Sequence, residues 1–303
     1  MRFDTKTIVR FFGVWAAMAP FHRACAADPD DHLTTTNSPA GSDPGYGLFD
    51  LLDRRSMYTQ EVFPEPFLLD DMAYEDNELE LSWLHTKGNG QQNDTGAAEL
   101  QMGVGLLTLM VEVPYERLVD PDDTVRGIGS IEIGARYPLY QYVSANRFVD
   151  ATFGVSMEGS LPVHRDVSSN PELEPLAFND LKLGNNLTIQ TILGYSILTG
   201  GGDDAGLESF NYGFSLAYAI PHRELSMPGV DQFLPMLELT GETGLNKEEA
   251  GQNSLEGDVG FRIKFKPMED FRPGLGLAYV FPVDGGARQE LHWGFIISTT
   301  FEF

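Results

Sequence analysis

From Asn77 to the last residue, apolar and polar side chains alternate with a period of two, the spacing of a β-strand with one apolar and one polar face. Glu78-Leu79-Glu80-Leu81-Ser82-Trp83 sets charge against apolar bulk at every step, and the segments Leu109 to Glu116 and Ser130 to Tyr137 follow the same rule. Between Leu255 and Phe265 the charged residues Glu256, Asp258, Arg262 and Lys264 share one face opposite Leu, Val, Phe and Ile. A helix would scatter them around its axis. Phe210, Tyr212, Phe214, Leu216 and Tyr218 stand opposite the small residues Asn211, Gly213, Ser215 and Ala217, which suits a crowded interior. The alternation predicts twelve strands, near residues 77–86, 96–105, 107–117, 127–138, 147–161, 172–183, 186–198, 208–220, 232–243, 254–266, 270–282 and 290–303. Most are long enough for a tilted strand to cross a hydrocarbon layer, and the number is even, as in bacterial barrels. The predicted fold class is therefore all-β: a transmembrane antiparallel up-and-down β-barrel of about twelve strands over residues 77–303, not a soluble sandwich.

The connections point the same way. Tight ones at Gly105-Leu106-Leu107, Leu183-Gly184-Asn185 and Pro267-Met268-Glu269 alternate with longer acidic or glycine-rich ones after Val119, Thr199 and Gly244. Short turns belong on the periplasmic side of such barrels and long loops outside. The connections near 139–146 and 221–231 are longer than that rule expects.

Ahead of the barrel, Arg2, Lys6 and Arg10 precede a short apolar run, Phe11 to Phe21, and then Ala24-Cys25-Ala26, the layout of a cleaved export signal over residues 1–26. Cleavage there removes Cys25, the only cysteine. A lipid anchor on Cys25 is the alternative, disfavoured by His22 and Arg23 just before it. Residues 27–76 read as a flexible acidic leader rich in Asp, Pro, Gly and Thr. Within it, Gly47 to Arg55 and Phe63 to Leu69 carry apolar residues that could pack as a partial plug or a periplasmic cap.

Composition narrows the function classes. The net charge is −25, from 45 acids against 20 bases, which excludes nucleic acid as a natural partner because phosphates require Lys and Arg. Cations are the better counterparts. A mean hydropathy of −0.19 looks soluble, but alternating faces average to that value in any β-barrel.

The segments Glu61 to Trp83 (EVFPEPFLLDDMAYEDNELELSW), Met110 to Tyr115 (MVEVPY) and Gly127 to Leu139 (GIGSIEIGARYPL) together resemble the family of outer-membrane barrels named for the MetA pathway of phenol degradation. The resemblance spans roughly residues 60–303. It implies the barrel fold, a place in the outer membrane of a Gram-negative bacterium and a transporter-like role, and it carries no site residues.

By parity, the inner face holds Glu112, Glu116, Glu132, Arg136, Asp150, Glu158, Glu238, Glu242, Glu256, Asp258, Arg262 and Lys264. A dry lumen cannot hold so many charges unpaired. Either Arg136, Arg262 and Lys264 neutralise some of the acids in a network that closes a narrow barrel, or the lumen is a water-filled or gated path that favours cations. Four histidines, His85, His164, His222 and His292, show no metal-ligand spacing. Gly127/Gly129 and Gly274/Gly276 lie within strand patterns and make no dinucleotide motif, so no cofactor is expected. Acidic loops such as Asp120-Pro121-Asp122-Asp123 are read as solvated tips, with Ca2+ bridging to lipopolysaccharide headgroups as the alternative. Phe301 and Phe303, at the end of a final alternating segment, fit the C-terminal signal read by barrel-assembly machinery. The leading expectation is a passive channel or transporter for a small organic solute, hydrophobic or aromatic, with membrane lipid and lipopolysaccharide as surroundings. The alternatives are a closed structural or adhesive barrel whose acidic loops bind a partner, and a barrel-wall lipid hydrolase built on His85 with Ser82 or a serine of the twelfth strand.

Overall fold

The computed structural model describes residues 64–69 and 77–303, the latter without residues 105, 145, 147, 165–166, 168–169, 202–203, 226 and 269–270. The expected export signal and the leader up to residue 63 lie outside the described residues. Among the described residues no helix is long and apolar enough to cross a membrane, and the strands carry the architecture.

The strands are β1 (Glu78–Gly88), β2 (Gln91–Val104), β3 (Leu107–Val119), β4 (Thr124–Ile128), β5 (Ser130–Val143), β6 (Val149–Pro162), β7 (Glu172–Leu183), β8 (Leu187–Leu198), β9 (Glu208–Tyr218), β10 (Ile220–Pro221), β11 (Val230–Gly244), β12 (Asn253–Phe265), β13 (Arg272–Pro282) and β14 (Trp293–Glu302). Helices α1 (His222–Leu225) and α2 (Ala287–Glu290) are single turns in connections. Each wall strand pairs antiparallel with the next, and β14 pairs with β1, from Trp293 against Lys87 to Glu302 against Glu78. That last ladder closes the sheet and leaves no free edge, which a strand in lipid cannot tolerate. β4 and β5 pair in turn with β3 and form one wall strand interrupted at Gly129. β10 is a two-residue stub beside β11. The wall is thus a closed barrel of twelve strands.

These twelve coincide with the predicted ones, with differences at the ends. The segment 87–95, read as a connection because it is wholly polar apart from glycine, is strand almost throughout. Asn89 and Gly90 alone form the turn, with φ of 46° and 83°, the left-handed pair that a two-residue hairpin requires. β5 likewise runs past its expected end to Val143, through a bulge between Pro138 and Tyr140. The bulge leaves Leu139 and Tyr140 both exposed and shifts parity, so that Tyr140 and Tyr142 face outward.

The ends of β2, β5, β7, β9 and β12 and the starts of β3, β6, β8, β11 and β13 share one rim with the barrel's ends, where the Phe303 amide donates to the Asn77 carbonyl at 2.8 Å. We call this the near rim and its opposite the far rim. The outward face carries Leu81, Trp83, Leu109, Ile133, Phe153, Leu193 and Tyr279, all well exposed. In water such a continuous apolar belt would be a liability; around a barrel it is the surface that meets lipid. The inner face carries the buried polar set, including Glu78, Gln101, Thr152, Asp180, Gln190, Ser215, Glu238 and Asp258.

Candidate functional site

A short segment of the leader, Pro64 to Leu69, runs across the lumen. Glu65 is fully buried and pairs with Arg262 and Lys264 on β12, both at 3.1 Å. Arg262 Nη2 also donates to the Pro66 carbonyl at 2.6 Å, and its guanidinium lies 4.5 Å from the centre of the Phe67 ring. The Phe67 and Leu68 amides both donate to the Glu238 carboxylate on β11, at 2.9–3.0 Å. Leu69 reaches the other wall and packs with Leu176, Phe178 and Ile192 of β7 and β8. A strap without regular secondary structure has unsatisfied amides, and a buried carboxylate needs donors; each supplies what the other lacks.

The wall makes room for the strap at two glycines. A Cβ on Gly276 would come within 2.5 Å of the Phe67 ring and of Ser298 Oγ, and one on Gly213 within 2.8 Å of Leu69. Both glycines face inward in the middle of their strands, so their missing side chains shape the seat.

Burial alone would raise the pKa of Glu65, but the Lys264 ammonium and the Arg262 guanidinium outweigh it and hold the carboxyl below its ordinary range. Glu65, Glu78 and Glu80 bring carboxylate oxygens within 4.8 Å of one another, the density of a metal site. Here the counter-charge is already protein: Lys264 bonds Glu65 and Glu302, and Arg262 lies 3.5 Å from Glu80.

The residues singled out from the sequence fall into separate groups. Glu238, Asp258, Arg262 and Lys264 surround the strap, with Glu238 directly opposite Asp258 across β11 and β12. Arg136 is buried beside Glu158 at 3.5 Å, and Asp150 lies opposite Lys182. Glu242 and Glu256 lie toward the far rim on β11 and β12, opposite Ser254 and Thr240. Glu112, Glu116 and Glu132 line an open cavity of about 490 Å³ on the far-rim side, with Ser130, Ser160 and Glu172. A second cavity of about 260 Å³ shares Glu112 and Glu132 and runs down to Arg136, Glu80 and the strap. The strap's ion pairs thus occupy the β11–β12 side of the lumen, and the two acid-lined cavities lie beside β2, β3 and β5.

Sequence reasoning missed Glu80, Glu99, Glu172 and Glu174, although the parity that found their neighbours assigns them inward as well. With them a row appears: Glu80 opposite Glu99, Glu99 opposite Glu112, and Glu112 opposite Glu132, across β1, β2, β3 and β5. Like charges directly opposite in a sheet repel. The row is compensated at one end by Arg262 beside Glu80 and by Gln101 donating to Glu99 at 2.8 Å, and its other end opens on the cavities.

The hydrolase candidate does not assemble. Ser82 has the inward parity of Glu80, whereas His85 faces outward and is packed against Trp83, Trp293 and Phe295, so the two lie on opposite faces of β1. Ser298, opposite Ser82 on β14, also faces inward.

Twelve antiparallel strands closed on themselves, apolar outside and polar within, define the outer-membrane type of β-barrel. Among solved structures the chain is similar to an outer membrane channel from Pseudomonas putida F1, at a TM-score of 0.53 and 16% identity over 80% of this chain and 98% of that one. It is also similar to the NanC porin, at a TM-score of 0.47 and 11% identity over 74% and 100% of the two chains, and to the KdgM porin, at 0.43 and 12% over 74% and 99%. No protein-family model and no curated protein matches the chain. The first likeness supports the fold.

Proposed function

We propose that this protein is an outer-membrane channel for a small organic solute, with a lumen that favours cations and is narrowed by the strap. The observation that carries the proposal is the pair of neighbouring cavities that share Glu112 and Glu132 in their linings, one on the far-rim side and one reaching the strap. Carboxylates along a low-dielectric wall remain charged only where water or a cation reaches them, so a wet path with this lining attracts cations. The resemblance to the barrels named for the MetA pathway supports an organic solute, and an aromatic cation satisfies both the resemblance and the charge. In this reading the far rim faces the outside, the strap acts as a partial plug, and Phe301 and Phe303 serve as the assembly signal.

The strap itself favours a second reading, a closed structural or adhesive barrel. Planar-bilayer recording and uptake into liposomes separate the two. A cation-selective conductance, with faster uptake of an organic cation than of an anion of equal size, is the expected result. No conductance and no uptake, for the protein with and without residues 64–69, would leave the closed barrel.

A further inference from the structure

A second row crosses the outside of the same strands. His85 on β1 lies opposite Asp94 on β2, Asp94 opposite Arg117 on β3, and Arg117 opposite Arg126 on β4. Their parity is that of Trp83, Tyr115 and Ile128, exposed apolar residues of the same strands, so the row faces away from the lumen. At about 4.8 Å between strands it is about 15 Å long. It lies close to the far rim, since β1 ends at Gly88, β3 ends at Val119 and β4 begins at Thr124. Aromatic rings border it: the His85 ring centre lies 5.4 Å from that of Trp293 and 5.3 Å from that of Phe295, tilted against both. Rings at this height mark the interface between hydrocarbon and headgroups.

The row does not cancel its own charge. Asp94 bonds His85 Nδ1 at 2.7 Å and Arg117 Nη1 at 3.0 Å, and it is the row's one carboxylate. Arg126 is exposed directly opposite Arg117 and has no ion-pair partner among the described residues. Lys87, the next outward position on β1, is exposed as well. Asp120, Asp122 and Asp123 in the adjoining loop pair with neither arginine, and the Asp123 carboxylate accepts from the Thr124 amide instead. By contrast Arg136, Lys182, Arg262, Lys264 and Arg272 have inward parity. In a chain of net charge −25, the outward cations of the described strands are gathered in one place.

We propose that this row binds the phosphate of a glycolipid headgroup in the outer leaflet. Two guanidinium groups on neighbouring strands present forked donors suited to phosphate, and an anion between them removes the repulsion that the register imposes. Tyr115 and Ile128, below Arg117 and Arg126 on the same face, give the acyl chains of such a lipid an apolar wall to lie on. A free phosphate would gain nothing from that wall. The site is independent of whether the lumen conducts.

The test uses the full-length protein, purified in detergent and shown to be folded by heat-modifiable migration, with binding followed by native mass spectrometry. The probes are bis-phosphorylated lipid A, the same lipid with its phosphates removed, and inorganic phosphate as competitor. Phosphorylated lipid A should bind, and removing its phosphates or substituting Arg117→Gln together with Arg126→Gln should each weaken binding at least about tenfold. Equal binding by the folded double variant, equal binding of the two lipids, or displacement by an equal concentration of inorganic phosphate would overturn the assignment. So would binding that survives the double substitution but vanishes with EDTA, which would point to a metal bridge from the acidic loop.

Discussion

Arg262 shows how much of the lumen one side chain can organise. Its guanidinium touches Glu65, Glu80, the Pro66 carbonyl and the Phe67 ring, and is 3% exposed. Replacing it with Gln leaves Glu65 with Lys264 as its one adjacent cation and removes the bond to Pro66. Removing one partner of a buried pair costs about 3–5 kcal/mol, and the strap can escape that cost by leaving its seat. Arg262→Gln is therefore expected to raise conductance or its noise in planar bilayers while heat-modifiable migration persists. An unchanged trace from a folded variant would mean the strap does not obstruct the path. Glu65 makes a matching prediction for pH. Its carboxyl titrates lower in the docked strap than in an undocked one, so the ionised form stabilises docking. That stabilisation is complete above the ordinary value of 4.5 and is lost as pH falls through the lowered one. Titration of Glu65 should thus give no conductance step between pH 5 and pH 8 and a rise only in stronger acid, and Glu65→Gln should abolish that step by raising conductance already at neutral pH.

At the scale of strands, the row Glu80, Glu99, Glu112 and Glu132 is where pairing register becomes an electrostatic property. In water-filled surroundings a carboxylate about 4 Å from a monovalent cation contributes about 1 kcal/mol, or about fivefold in occupancy. Glu112→Gln with Glu132→Gln should lower the cation-to-anion permeability ratio by about that factor or more, read as a reversal potential that moves toward zero in a KCl gradient. A ratio unmoved by both substitutions would remove these residues from the path. Most of this row's geometry was legible from alternation, because period two fixes which face Glu112 and Glu132 occupy. Its lateral continuity was not, since the pairing of Glu80 with Glu99 depends on where the β1–β2 turn falls. Asn89-Gly90 was the available signal, and the polar run around it hid both the turn and the outward row from His85 to Arg126. Polarity outside the hydrocarbon layer looks like loop whether or not the strands continue.

For the whole molecule, the question is whether the strap and the wall are separable parts. The apolar content of Phe63 to Leu69 marked it as a segment that packs on something, yet the partners of its described residues lie about 105 to 200 residues away in sequence and no period connects them. The glycines give that relation a physical handle. Gly276 and Gly213 leave the spaces that Phe67 and Leu69 enter, and a leucine at either would compete for the same volume. Overpacking of this kind costs about 1–3 kcal/mol per site if the strap stays, whereas the barrel's own hydrogen-bond ladders on β9 and β13 are untouched if it leaves. Gly276→Leu combined with Gly213→Leu is therefore expected to give a barrel that still migrates fast before boiling but conducts like one lacking residues 64–69. The two variants should coincide in conductance, because both empty the same seat. If the leucine variant instead loses heat-modifiable migration while the deletion keeps it, the glycines serve the curvature of the wall and not the strap. If both variants fold and neither differs from the natural chain, the passage of solute is governed entirely by the acidic side of the lumen, and the strap is a brace between β7–β8 and β11–β12.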